Sequence, residues 1–166
     1  MMKLSNRVLE MEESVTLAAS ARAAALKAEG RDILSLTLGE PDFTTPENIQ
    51  KVAIAAIQDG KASFYTAASG LPALKDAISS YMETFYGYAV PRNQVVVATG
   101  AKFILYAAFA TLLNPGDEVI IPTPCWVSYV DQVKMVDAVP VTFQTTEAND
   151  FKATVEQLEA ARTEKT

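Results

Sequence analysis

The sequence predicts an α/β protein built on a mainly parallel sheet, on three observations. Apolar runs of strand length alternate with segments whose apolar residues recur at helical spacing, as they do when each strand is followed by a helix. Val95-Val96-Val97-Ala98 is a continuous apolar run, the pattern of a strand covered on both faces. That run and Glu118-Val119-Ile120-Ile121 each lead into a loop of special residues, Thr99–Lys102 and Pro122–Trp126. In open α/β sheets ligands lie beyond the C-terminal ends of strands, so one site would be lined by those two loops.

In chain order, the first 30 residues are rich in Ala, Glu and Met and read as a helix ending at Gly30. Ile33–Thr37 reads as a short strand, followed by the polar loop Gly39-Glu40-Pro41-Asp42-Phe43. Thr45 is placed to cap a helix with Pro46 in its first turn, and Ile49, Val52, Ala53, Ala56 and Ile57 follow at helical spacing up to Gly60. Lys61–Gly70 has no helical period and reads as a loop. Leu71, Leu74, Ile78, Tyr81, Met82 and Phe85 mark an amphipathic helix.

After the Val95–Ala98 run, residues 101–113 are apolar nearly all round and predict a buried helix, stopped by Asn114-Pro115-Gly116-Asp117. Glu118–Ile121 reads as a strand broken by Pro122 and Pro124. Trp126–Val136 reads as a helix, Val139–Phe143 as a strand, and Thr154–Ala161 as an acidic helix. There is no internal repeat and no low-complexity segment.

Composition narrows the chemistry. Among 166 residues, 49% are hydrophobic and 20% charged, as in ordinary globular proteins. The net charge is −6 and Lys and Arg form no stripe, which argues against nucleic acid or an anionic membrane as partner. No apolar run is long enough to cross a bilayer, and MMKLSNRVLEMEES lacks the apolar core of a signal peptide, so a cytoplasmic location is expected. The absence of histidine excludes Ser-His-Asp and Cys-His catalysis and the usual zinc sites. Cys125 stands alone, so no intrachain disulfide forms; with no activating base in view it reads as a small apolar filler.

Several residues carry two readings. Gly100-Ala101-Lys102 is either an ordinary strand-to-helix turn or an anion cradle. In the second case the unpaired N–H groups of the helix start and its dipole face a phosphate, with Lys102 adding charge. The flanking glycines of a Walker loop or a GxGxxG motif are absent. Trp126, the one tryptophan, is either a packing anchor or a plane that stacks on a flat cofactor ring. Tyr65 is either a packed loop tyrosine or a donor to phosphate. Glu40 and Asp42 read as capping or solvated loop residues.

Taken together, LTLGEPDFTTPENI, FYTAASGLPALKDAI, VVVATGAKFILY and NPGDEVIIPTPCWVSY resemble the signature segments of fold-type I, pyridoxal-phosphate (PLP) dependent class I/II aminotransferases. The likeness is to the aspartate and aromatic aminotransferase branch and runs in order through essentially the whole chain. It implies the aspartate aminotransferase fold, a three-layer α/β/α large domain here cut off after its first strands. Residues 1–45 would form the N-terminal arm and part of the small domain, and residues 46–166 the start of the PLP-binding large domain.

By the same resemblance, Gly100, Ala101 and Lys102 match the backbone cradle of the PLP phosphate, and Trp126 the aromatic residue that stacks on the pyridine ring and helps hold substrate. Gly39 matches the glycine whose backbone meets the substrate carboxylate. Tyr65 matches the tyrosine that reaches the phosphate of a neighbouring subunit, which implies a homodimer. Cys125 stands where many relatives have tyrosine. The implied reaction moves an amino group between an L-amino acid, aspartate or aromatic, and a 2-oxo acid.

The Schiff-base lysine, the carboxylate facing the ring nitrogen and the arginine for the substrate carboxylate would all lie past Thr166, so no catalytic residue is assigned in this chain. Lys102, inside the phosphate motif, is not the Schiff-base lysine. The 166 residues alone are therefore expected to be inactive, and associated, swapped or partly ordered rather than a native-like monomer. Two other functions share this half of the site: C–S β-elimination on the same fold, and a non-enzymatic binding or regulatory module. The absence of a basic helix-turn-helix segment weighs against the regulatory one.

Overall fold

A computed structural model describes residues 3–9, 11 and 14–166. The chain divides into two compact units. One is Ala19–Ala98; the other is Thr99–Thr166 with the described residues up to Ala18.

The second of these holds the sheet. Strands β1 (Glu118–Thr123) and β2 (Val139–Gln144) pair in parallel, Glu118 opposite Val139 and Thr123 opposite Gln144. Their crossover is helix α6 (Ser128–Lys134). Before β1 runs helix α5 (Ala101–Leu112), and after β2 comes helix α7 (Val155–Ala161). Ile121 of β1, Val133 of α6 and Ala138 form the buried centre, with Phe109, Val119 and Val130 packed against it. Val133 is wholly buried. Thr154, expected within the last helix, instead caps α7: its hydroxyl accepts from the Gln157 amide at 3.2 Å while the Gln157 side chain accepts from the Thr154 amide at 3.1 Å.

The other unit, Ala19–Ala98, is helical, with helix α3 (Glu47–Gln58) and helix α4 (Pro72–Tyr86). Gly87 ends α4 in the left-handed conformation, φ 65°. The loop before α4 backs onto the Val95–Val97 segment. The Val97 amide donates to the Ser69 carbonyl at 3.0 Å, and a Cβ on Gly70, whose φ is +101°, would stand 2.7 Å from the Val97 Cβ.

Several expectations are corrected. The predicted strand Val95–Ala98 is extended at Val95 (φ −104°, ψ 126°), yet it forms no ladder, because no described strand lies beside it. Ile33–Thr37 forms no strand for the same reason, and Leu34 and Leu36 remain 88% and 86% exposed. Among the described residues two strands, not four, make the sheet. Pro122 does not break β1, which continues to Thr123: in a two-stranded pair each strand keeps one free edge, where a missing N–H costs no ladder bond.

The predicted N-terminal helix is two pieces, α1 (Asn6–Leu9) and α2 (Val15–Ala28); Met1, Met2, Glu10, Glu12 and Glu13 lie outside the described residues. Thr45 does not cap α3. The capping position falls on Pro46 with no side-chain bond, and the Thr45 carbonyl instead accepts from the Gln50 side chain. The helix expected over Trp126–Val136 is shortened to α6, since Val127 holds the cap position. Helix α5 is not buried: none of its residues is fully covered, and Phe103 and Leu112 are 58% and 74% exposed, because no further layer of this chain covers its outer side. Likewise the apolar stripe of α4 is open at Leu71, Leu74 and Phe85, while Lys75 is the residue that is buried.

Candidate functional site

Helix α5 begins at the predicted turn. Gly100 takes φ 83° and ψ 159°, a conformation that residues with a Cβ rarely adopt, and it swings the chain from the extended Val95–Ala98 segment into the helix. The first intrahelical bond is from the Ile104 amide to the Gly100 carbonyl. The amides of Ala101, Lys102 and Phe103 therefore have no helical acceptor, and no described side chain caps them. No atom stands within 4 Å of where a Gly100 Cβ would be, and Ala101 and Lys102 are exposed. Unpaired donors at the positive end of a 12-residue helix, on open backbone, are arranged to take an anion.

Trp126 lies in the loop after β1, beyond the cis Thr123–Pro124 bond, and half of its surface is exposed. The Lys102 ammonium sits 5.4 Å from the centre of its indole. The structure thus brings together Gly100, Ala101, Lys102 and Trp126, four of the six residues singled out in the sequence. The free thiol of Cys125 lies partly buried against the Ile121–Val133 cluster, the filler role expected of it.

The other two belong to the Ala19–Ala98 unit. Tyr65 is fully exposed in the loop after Ser63. Gly39 lies in an exposed irregular segment, with no atom within 4 Å of where a side chain would begin.

One residue at the cradle escapes the sequence reading. Gln132, buried on α6, donates from Nε2 to the Lys102 carbonyl at 2.6 Å. A glutamine inside an amphipathic pattern resembles any polar surface residue, so only its burial marks it.

The described residues contain no cluster of His, Cys, Asp and Glu that could hold a metal ion, and no described helix is long and apolar enough to cross a membrane.

Comparison with known proteins gives this arrangement a context. The chain is 72% identical over its full length to an asparagine–oxo-acid transaminase of Streptococcus mutans, covering 42% of that protein. It is 44% identical to an aspartate aminotransferase of Bacillus subtilis, over 99% of this chain and 42% of that one. Among solved structures, the aspartate aminotransferase of Rhizobium meliloti superposes with a TM-score of 0.94 at 42% identity, over 99% of this chain and 41% of the other. The aspartate aminotransferase of Thermus thermophilus with maleate gives 0.94 at 37% identity, over 100% and 43%.

The fold is therefore that of the aspartate aminotransferases, and the chain spans about two fifths of the length of these relatives. The family model for aminotransferase class I and II matches residues 31–166, nearly all of the described chain, and the chain belongs to that family.

Proposed function

We propose that the protein to which this chain belongs is a PLP-dependent aminotransferase, moving an amino group from asparagine or aspartate to a 2-oxo acid. The donor class rests on the relatives, an asparagine–oxo-acid transaminase at 72% identity and aspartate aminotransferases at 43–47%. The observation that carries the reading is the start of α5, where unpaired amides over an open Gly100 lie beside Trp126 and Lys102.

Those residues fit a phosphate-bearing aromatic cofactor. The amides from Gly100 to Lys102 would hold the phosphate, the missing Cβ at Gly100 allowing close approach. Lys102 would add positive potential, and its ammonium over the indole favours this orientation of Trp126. Trp126 would cover one face of the ring and keep water from it. When bound, the cofactor supplies an electron sink for the substrate's α-carbon. Gly39 would leave its backbone open to the substrate carboxylate. Tyr65 would donate its hydroxyl to the phosphate held by a second copy, making the working unit a homodimer.

Residues 46–166 are assigned to the cofactor-binding large domain and residues 1–45 to the arm and small domain, in a cytoplasmic enzyme. Lys102, whose ammonium lies over the indole, would not be the lysine that holds the cofactor covalently. The 166 residues alone would then transfer no amino group.

The test is transamination by the complete gene product with asparagine, aspartate and phenylalanine as donors and a 2-oxo acid as acceptor. Amino transfer from asparagine or aspartate is expected, and Gly100→Val should abolish cofactor retention. A complete protein that transfers from none of the three donors, or a Gly100→Val variant that retains PLP as the parent does, overturns the reading.

A further inference from the structure

Gln132 is 7% exposed, and its carboxamide is divided in its partnerships. Nε2 donates to the Lys102 carbonyl at 2.6 Å, a bond between residues thirty positions apart. Oε1 is buried and accepts from no described residue. An unpaired buried acceptor is unfavourable, and an apolar side chain of the same length would avoid it. The packing of α6 therefore does not by itself favour glutamine here.

What the glutamine adds is one contact at one place. Lys102 lies in the first turn of α5, whose amides form the anion cradle, and α6 is the helix that follows the Trp126 loop. A carbonyl bonded to Gln132 cannot tilt outward without losing that bond, so the peptide planes of the turn, and the amides they carry, are held in direction.

We propose that Gln132 is a positioning residue for the phosphate cradle, fixing the first turn of α5 to the helix that follows the Trp126 loop. The inference rests on the cofactor reading above and extends it to a residue that touches no ligand. Removing the bond should weaken binding of the phosphate and leave the rest of the cofactor unaffected.

The complete protein, freed of cofactor, is titrated calorimetrically with 4-deoxypyridoxine 5′-phosphate and with 4-deoxypyridoxine, neither of which can bond covalently to a lysine. Gln132→Met should weaken the phosphorylated ligand by roughly three- to tenfold, the range of a single neutral hydrogen bond. It should leave the unphosphorylated ligand within about twofold, and the melting temperature unchanged or raised, since an orphaned acceptor is removed. Gln132→Glu, close in shape but facing the carbonyl with an acceptor, should reduce the same preference further, and it provides the test if the Met variant does not fold.

A parent protein that prefers the phosphorylated ligand, with variants that keep that preference, overturns the inference alone. So does a Met variant that loses both ligands in proportion to a lowered melting temperature. A parent protein with no preference overturns the cofactor reading, and this inference with it.

Discussion

The two units of this chain answer the same demand, burial of apolar surface, with different results. In Thr99–Thr166 the two strands find each other across a short crossover, their ladder closes, and Ile121, Val133 and Ala138 are enclosed. In Ala19–Ala98 the extended segments find no strand to pair with. Val95 is the one buried hydrophobic residue of that unit, while Leu34, Phe64 and Val96 stand open to solvent. The most enclosed ionisable side chain among the described residues lies here too: Lys75, 8% exposed, donates from its ammonium to the Ser69 hydroxyl at 2.9 Å. A helix is satisfied by its own hydrogen bonds and forms in either setting, whereas a strand needs a neighbour. The core follows the ladder.

The largest effect should come from attacking that core. Val133→Asp places an unpaired charge at a wholly buried site and should cost about 3–5 kcal/mol. Urea denaturation with segment-resolved hydrogen exchange should show β1 and β2 losing protection while α3 and α4 keep theirs. Equal loss in both regions would mean that the units do not differ as described.

Gly70→Ala attacks the junction of the other unit. With φ at +101° and Val97 Cβ at 2.7 Å, a methyl group meets both backbone strain and overlap, a cost of about 2–3 kcal/mol. Exchange should rise at the Val97 amide, which donates to Ser69, and hardly at β1. An unchanged Val97 amide would show that the loop does not depend on this close approach.

The smallest effect belongs to the exposed pair Arg92–Asp76, which ties α4 to the turn before Val95. The hydrogen bond from Arg92 holds the Asp76 carboxyl below its ordinary pKa. The folded value is the depressed one, so the pair's contribution is complete above the ordinary aspartate value, near pH 4, and is lost as the pH falls through the folded value. Asp76→Asn should remove a small acid-side dependence of α4 stability and change nothing at neutral pH beyond the loss of the pair, as pH-resolved denaturation would show. An acid limb that persists in the variant assigns it to other carboxylates.

This difference also explains what could be read from the sequence. Helices α3, α4, α5 and α7 and strands β1 and β2 were legible, because periodicity and local stops such as Gly60 and Asn114–Asp117 define them. The Gly100 turn was legible because a glycine after an apolar run announces a change of direction. Val95–Ala98 and Ile33–Thr37 have strand composition, but composition cannot supply a neighbouring strand. The all-round apolar character of α5 records a burial that the described residues do not provide. Thr45 was misplaced because Pro46 moves the helix start by one residue. Gln132 and the Lys102–Trp126 contact were invisible, since each joins residues far apart in sequence through a fold the local pattern does not contain.

The parallel pair has a consequence for how the chain comes into being. β1 and β2 are joined through residues 124–138 alone, and the bonds that seat β2, from the Val139 amide to Asp117 and from the Gly116 amide to Asp137, close loops only slightly longer than that crossover. Loop closure over so few residues carries a small entropic penalty. During synthesis this β-α-β element has everything it needs once Gln144 leaves the ribosome, and domains tend to settle in order of emergence. It would stand as a preformed template edge, presenting unpaired strand groups to whatever part of the polypeptide arrives next.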